Sequence, residues 1–209
     1  MIALFGGTRG VGLECLKILI KAGNYKVNVL ARNPKVLEEF IKDSKDVNVI
    51  IGDVMNENNV EEVLKDSEVV INCLGSTGLS DNLDICSKGT EVILRVMKKL
   101  KIKKILTCSS LGVGDSYDQC SYMTRLVIWG ILSKVIADKD IQENMIKKSG
   151  LDFIIVRPPR LMDWGFTGKY RTGYDISGGK VSRSDVADWI IKNLFSDEFL
   201  NKTPSIVSN

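Results

Sequence analysis

The sequence predicts a doubly wound α/β fold: one parallel sheet with helices on both faces, in a single domain spanning residues 1–209. Three observations carry this. Short apolar runs alternate with longer stretches of helical period, the pattern of successive βαβ units. A glycine-rich turn follows the first apolar run directly. No Pro/Gly-rich linker divides the 209 residues, and that length suits one sizeable core.

The strands expected are Ile2–Phe5, Lys26–Ala31, Val47–Ile51, Glu68–Cys73, Lys104–Cys108 and Phe153–Arg157. Most are continuous apolar runs, as strands covered on both faces require. Val11, Cys15, Ile18, Leu19 and Ala22 recur with the 3.6-residue period of an amphipathic helix. The same period returns at Val92, Ile93, Val96, Met97 and Leu100, and at Val186, Ile190, Ile191 and Leu194. Ser184, just before Asp185, is the expected N-cap of that last helix. The strand order expected is 3-2-1-4-5-6, with a seventh short strand at Ser205–Val207. Met123, Val127, Gly130, Ile131 and Lys134 form a stripe read as helix packing, and Trp129 reads as core. Residues 160–183 lack regular period and hold five glycines with Trp164, Phe166, Tyr170 and Tyr174. They read either as a loop over its own small core or as a substrate-covering lid.

Composition narrows the function. A net charge of +3, with basic and acidic residues interleaved, gives no basis for a nucleic-acid or membrane partner. The five cysteines form no C-x-x-C pair and the chain has no histidine, so no metal site is expected. Ser-His-Asp and Cys-His catalysis are excluded outright. The apolar stretch from Tyr122 to Ala137 is broken by Arg125 and Lys134 and falls short of the roughly 20 residues a membrane span needs. A cytoplasmic location with reduced thiols follows as the expectation.

Phe5-Gly6-Gly7-Thr8-Arg9-Gly10-Val11-Gly12 joins the first strand to the first helix. Glycines there let backbone approach a pyrophosphate, while the helix N-terminus offers unpaired N–H groups and a positive dipole end. About 20 residues further on, an acid would hold the ribose 2′-OH of NAD(H). Arg32 stands in that place. A guanidinium grips a 2′-phosphate that a carboxylate would repel, so the cofactor expected is NADP(H), with Arg9 and Lys35 adding charge. Asp53 and Val54 follow the third strand beside the expected adenine edge. Leu74, Gly75 and Ser76 follow the fourth, near pyrophosphate and ribose.

With these residues stand Thr107-Cys108-Ser109-Ser110, Ser149-Gly150-Leu151-Asp152 before Val156-Arg157-Pro158-Pro159, and Ser184-Asp185-Val186-Ala187. The set resembles the atypical short-chain dehydrogenase/reductases, in particular the NmrA-like group that includes the flavin reductase/biliverdin-IX-beta reductase family. The resemblance covers nearly the whole chain. It implies NADP(H) across the strand C-termini and hydride transfer to flavin, tetrapyrrole or quinone-like rings, usually by a monomer. A monomer or weak homodimer is therefore expected. It also implies that Ser110 is the active-site serine, that Lys139 lies near the nicotinamide ribose, and that Cys108, Ser109, Pro158 and Pro159 adjoin the cofactor.

Three positions depart from that group. Arg9 replaces the middle glycine of G-x-x-G-x-x-G. Lys139 lacks a tyrosine four residues earlier, where Val135 stands. Arg160 follows Pro158-Pro159 where the biliverdin-reducing family has histidine. Reduction of an isolated ketone develops an alkoxide that needs an adjacent acid. Without the tyrosine, a conjugated planar acceptor that takes its proton from water is the better substrate. Arg160, Tyr117, Trp164 and Phe166 are candidate substrate contacts, with Arg160 suited to an anionic group. Ser109 and Ser110 also read as a strand cap, and Lys139 as an exposed helix lysine; the other functional readings are a non-catalytic NADP(H)-sensing regulator and a nucleotide-retaining epimerase or dehydratase.

Overall fold

The computed structural model describes residues 1–42, 44–76 and 83–209. Its central sheet has six parallel strands in the order β3-β2-β1-β4-β5-β6, the order expected. They are β1 (Ile2–Phe5), β2 (Val27–Ala31), β3 (Val47–Ile51), β4 (Val69–Asn72), β5 (Lys104–Cys108) and β6 (Asp152–Val156). Side chains alternate across the sheet. Ile2 and Leu4 enter one apolar cluster with α1 (Gly10–Ala22) and α7 (Arg183–Lys192). Ala3 and Phe5 enter the other, under α3 (Glu57–Leu64) and α4 (Ile85–Lys99). Each large apolar side chain so buried contributes about 1.5–3 kcal/mol. Strand order reverses between β1 and β4, so a crevice opens at the C-terminal ends of these two strands.

Three further strands lie within residues 160–183, where none was expected: β7 (Arg160–Met162), β8 (Tyr170–Gly173) and β9 (Lys180–Ser182). Strands of three or four residues carry too few side chains to show alternation. β7 pairs parallel with β9. The last strand, β10 (Ser205–Ser208), does not extend the main sheet as a regular seventh strand; it pairs antiparallel with β8 and touches the end of β6 through a single bridge, Arg157 to Ser205. The segment is pinned to the start of α7. Asp185, fully buried, accepts from the Thr167 and Gly168 N–H groups at 2.8 and 3.0 Å and from the Thr167 hydroxyl at 2.6 Å. The α7 N-cap is Ser182, whose side chain accepts from Ser184 N–H. Ser184, expected in that role, instead donates its hydroxyl to Glu14 on α1 at 2.7 Å.

α2 (Glu38–Ile41) is a single turn, and α5 (Tyr122–Val127) leads through a π-helical turn at Ile128–Leu132 into α6 (Ser133–Lys147). That turn breaks the 3.6-residue phase on which the 123–134 stripe was read. Only Ile128 of it is buried; Met123 is 69% exposed and Trp129 77%. Trp129 is therefore a surface residue, not core.

Candidate active site

The crevice begins with the turn after β1. A Cβ on Gly12 would collide with the Gly6 carbonyl oxygen, so the start of α1 lies directly against the strand end. Gly10 has φ +57°, a left-handed conformation that favours glycine. Arg9, extended at φ −163°, needs no glycine. This accounts for the departure at the middle position: the left-handed residue is one place later, and residue 9 is free to carry a side chain. That side chain spans the crevice, its Nη2 donating to the carbonyls of Gly75 and Ser76, each at 2.7 Å. The α1 N-terminus has no side-chain cap and no acid in its first turn. Its unpaired N–H groups are suited to an anion.

Two cavities meet at Arg9, Cys73, Leu74 and Gly75. The first, about 90 Å³, runs from Gly6 and Thr8 to Arg32, Asp53 and Val54. Arg32 is exposed at the end of β2. The Asp53 carboxylate accepts from Met55 N–H at 2.9 Å and the Asn59 side-chain carbonyl accepts from Asp53 N–H at 3.2 Å, which shapes this edge. Lys35 is exposed in the 3₁₀ turn at Pro34–Leu37 and lines neither cavity.

The second cavity, about 450 Å³, is lined by Gly10, Val11, Ser76, Cys108, Ser109 and Lys139, and is covered by Leu161, Asp163 and Arg183. Lys139 is only 9% exposed and donates Nζ to the Cys108 carbonyl at 3.1 Å. Burial works against its ammonium, yet its pKa lies above the ordinary value, with the Asp138 carboxylate favouring the charge. Burial pushes the Cys108 thiol up to about 12. Neighbouring Asp138 accepts from the Cys86 and Ser87 N–H groups at 2.9 and 3.0 Å, capping α4 and fixing α6 against it.

Of the two serines after β5, it is Ser109 that lines the cavity. Its hydroxyl donates to Glu143 at 2.6 Å. Ser110 is half-buried and donates to the Leu111 carbonyl at 3.1 Å, the local backbone bond of a turn. Glu143 also accepts from Arg157 Nε at 3.0 Å and Nη2 at 2.6 Å, and from Lys147 at 3.1 Å. Burial raises the Glu143 carboxyl, but Arg157, Ser109 and Lys147 outweigh it and hold it below its usual range. Arg157 additionally reaches Asp115 at 2.8 Å. This buried pair ties the end of β6 to α6, and Ser109 joins the end of β5 to it through Glu143. A charged residue closing the apolar run Phe153-Ile154-Ile155-Val156-Arg157 was the signal for it.

Pro158 is buried and its carbonyl accepts from Leu111 N–H at 2.9 Å; Pro159 is half-buried beside it. Arg160 is exposed at the start of β7. Trp164 and Phe166 are 51% and 63% exposed, and Tyr117 packs under the Arg125 guanidinium at 5.2 Å from its ring centre. None of these four lines the second cavity. Its cover is built from Leu161, Asp163 and Arg183 instead.

The chain matches the family described as NAD(P)H-binding over residues 6–197, which takes in both cavities. It belongs to that family. Solved structures share the fold. ChuY, an anaerobillin reductase from Escherichia coli O157:H7, superposes with TM-score 0.84 at 22% identity, covering 99% of this chain and 96% of that one. A short-chain dehydrogenase/reductase from Veillonella parvula DSM 2008, solved in complex with NADP, gives TM-score 0.84 at 17% identity, covering 99% and 94%. The oxidoreductase ylbE from Lactococcus lactis gives 0.83 at 20%, covering 100% and 91%. The residues present fit a dinucleotide: glycines where a Cβ would collide, an uncapped helix N-terminus, and a cavity on either side of it. Among the described residues, no helix is long and apolar enough to cross a membrane.

Proposed function

We propose that this NAD(P)H-binding protein is an NADPH-dependent reductase of a conjugated planar acceptor of flavin, quinone or tetrapyrrole type. The observation that carries the reading is the acid content of the second cavity. Lys139 lines it with Nζ committed to the Cys108 carbonyl, and among the described residues no tyrosine lines the wall. Bound nicotinamide supplies hydride, and an acceptor that spreads the resulting charge over a ring takes its proton from water. Lys139 fixes the β5 end through the Cys108 carbonyl and offers positive charge to the cavity. Ser109, held by Glu143, presents its oxygen to the same space. Arg32 is suited to the 2′-phosphate at the far end, which favours NADPH over NADH. The protein acts on this reading as a monomer or weak homodimer in the cytoplasm; its free thiols agree with a reducing compartment.

Purified protein is tested anaerobically for NADPH oxidation with a flavin, a soluble quinone and biliverdin, alongside Lys139→Met and Ser110→Ala. Turnover lost in Lys139→Met is the expected result, with Ser110→Ala close to wild type because Ser110 does not line the cavity. Efficient reduction of an aliphatic ketone overturns the acceptor class. Tight NADPH binding without turnover on any acceptor assigns the chain to NADP(H) sensing.

A further inference from the structure

Arg183 opens α7, far along the chain from the glycine turn, yet its side chain lies over that turn. Its Nε and Cδ stand 3.9 and 4.0 Å from where a Cβ on Gly10 would be. It lines the second cavity together with Gly10 and Val11 and is 29% exposed. Among the described residues, three cations face that cavity. Arg9 is committed to two backbone carbonyls and Lys139 to a third. Arg183 alone of the three is held by an exposed carboxylate, Asp163, at 2.7 Å. Asp163 is 85% exposed and belongs to the covering segment, so water replaces its partner at small cost.

We propose that Arg183 is a cofactor ligand that grips the pyrophosphate, trading Asp163 for phosphate oxygens. This rests on the NAD(P)H reading of the same crevice. The α1 N-terminus, without side-chain cap or acid, presents N–H groups to one side of an anion at Gly10. Arg183 closes the opposite side with a planar fork suited to bidentate contact. Its backbone is fixed for the purpose: Ser182 caps α7, Ser184 is tied to Glu14 of α1, and Asp185 anchors residues 167–168. Pyrophosphate binding at this point also bears on the cover, since Asp163 loses its tether when Arg183 turns to phosphate.

The test compares NADPH with 2′-AMP, which carries the 2′-phosphate but no pyrophosphate, by calorimetry. Arg183→Ala is expected to raise the NADPH Kd about tenfold to a hundredfold, the loss of one or two charge-assisted bonds. The 2′-AMP Kd is expected to stay within twofold of wild type. Asp163→Asn keeps every cation and removes the competing carboxylate, so NADPH binds severalfold tighter while 2′-AMP does not change. An NADPH Kd unmoved by Arg183→Ala, or both ligands weakened alike, overturns the assignment. So does Asp163→Asn that leaves NADPH binding unchanged or weaker, whether or not Arg183→Ala folds. Failure of wild-type protein to bind NADPH at all is a different result, which removes the cofactor reading itself.

Discussion

Replacing Glu143 by Gln puts the buried Arg157–Glu143 pair to a quantitative test. The two side chains are 2% and 1% exposed. Gln keeps the volume and an acceptor for the Ser109 hydroxyl but removes the charge that Arg157 faces. The remaining partner, Asp115, is 69% exposed and screened by water, so it offsets little. Stranding one member of a buried pair costs about 3–5 kcal/mol. For a chain of this length each kcal/mol lowers Tm by about 2–4 °C, so Glu143→Gln is expected to melt about 6–20 °C below wild type at pH 7. Adding Arg157→Met removes the stranded charge, and the double variant is expected to recover at least half the loss. The sign with pH also follows. Glu143 has a folded pKa below its unfolded value, so its contribution is present above the ordinary carboxylate range and is lost as pH falls through the folded value. Scanning calorimetry from pH 7 to pH 3 should therefore show the gap between wild type and Glu143→Gln closing at the acid end. A single-variant loss under about 3 °C, or losses that simply add in the double variant, would refute the stranded-charge argument.

Arg32→Ala is expected to weaken NADPH by about tenfold or more while leaving NADH within twofold, read by calorimetry; equal losses mean Arg32 does not contact the 2′-phosphate. Gly12→Ala forces a Cβ onto the Gly6 carbonyl, so NADPH binding is expected to vanish and Tm to fall; an unchanged melt with wild-type affinity would contradict the close approach. Trp129→Ser is expected to shift stability by no more than about 0.5 kcal/mol in urea titration, because the ring is already in solvent.

Element existence and sheet order were legible because buried parallel strands are continuous apolar runs and their helices keep a 3.6-residue period. Where short-range rules compete, the sequence says less. Ser182 and Ser184 both sit where an N-cap belongs, and only tertiary contact assigns one to the cap and the other to Glu14. The π-helical turn at Ile128–Leu132 has no sequence signature and rotates the following face, which is why Trp129 misled. Ser109 and Ser110 are adjacent and chemically alike. Strand β5 turns one into the cavity while the next falls on its own turn, and which is which depends on pairing register rather than on residue type.

The glycine turn near the N-terminus was legible for a reason that does not extend to the cover. A phosphate loop is local: strand, glycines and helix start lie within one stretch, and each has a composition cue. The roof of the second cavity is assembled from Leu161, Asp163 and Arg183, which owe their positions to β7, to the α7 cap and to the Asp185 anchor. Aromatic content pointed to Trp164 and Phe166, yet both face outward because Asp185 draws the Thr167–Gly168 turn down onto α7. The same anchoring that exposes the aromatics brings Arg183 over Gly10, so the cover contributes charge to the crevice. On the reductase reading, substrate selection falls to the cavity lined by Lys139, Asp163 and Arg183 more than to stacking against a loop.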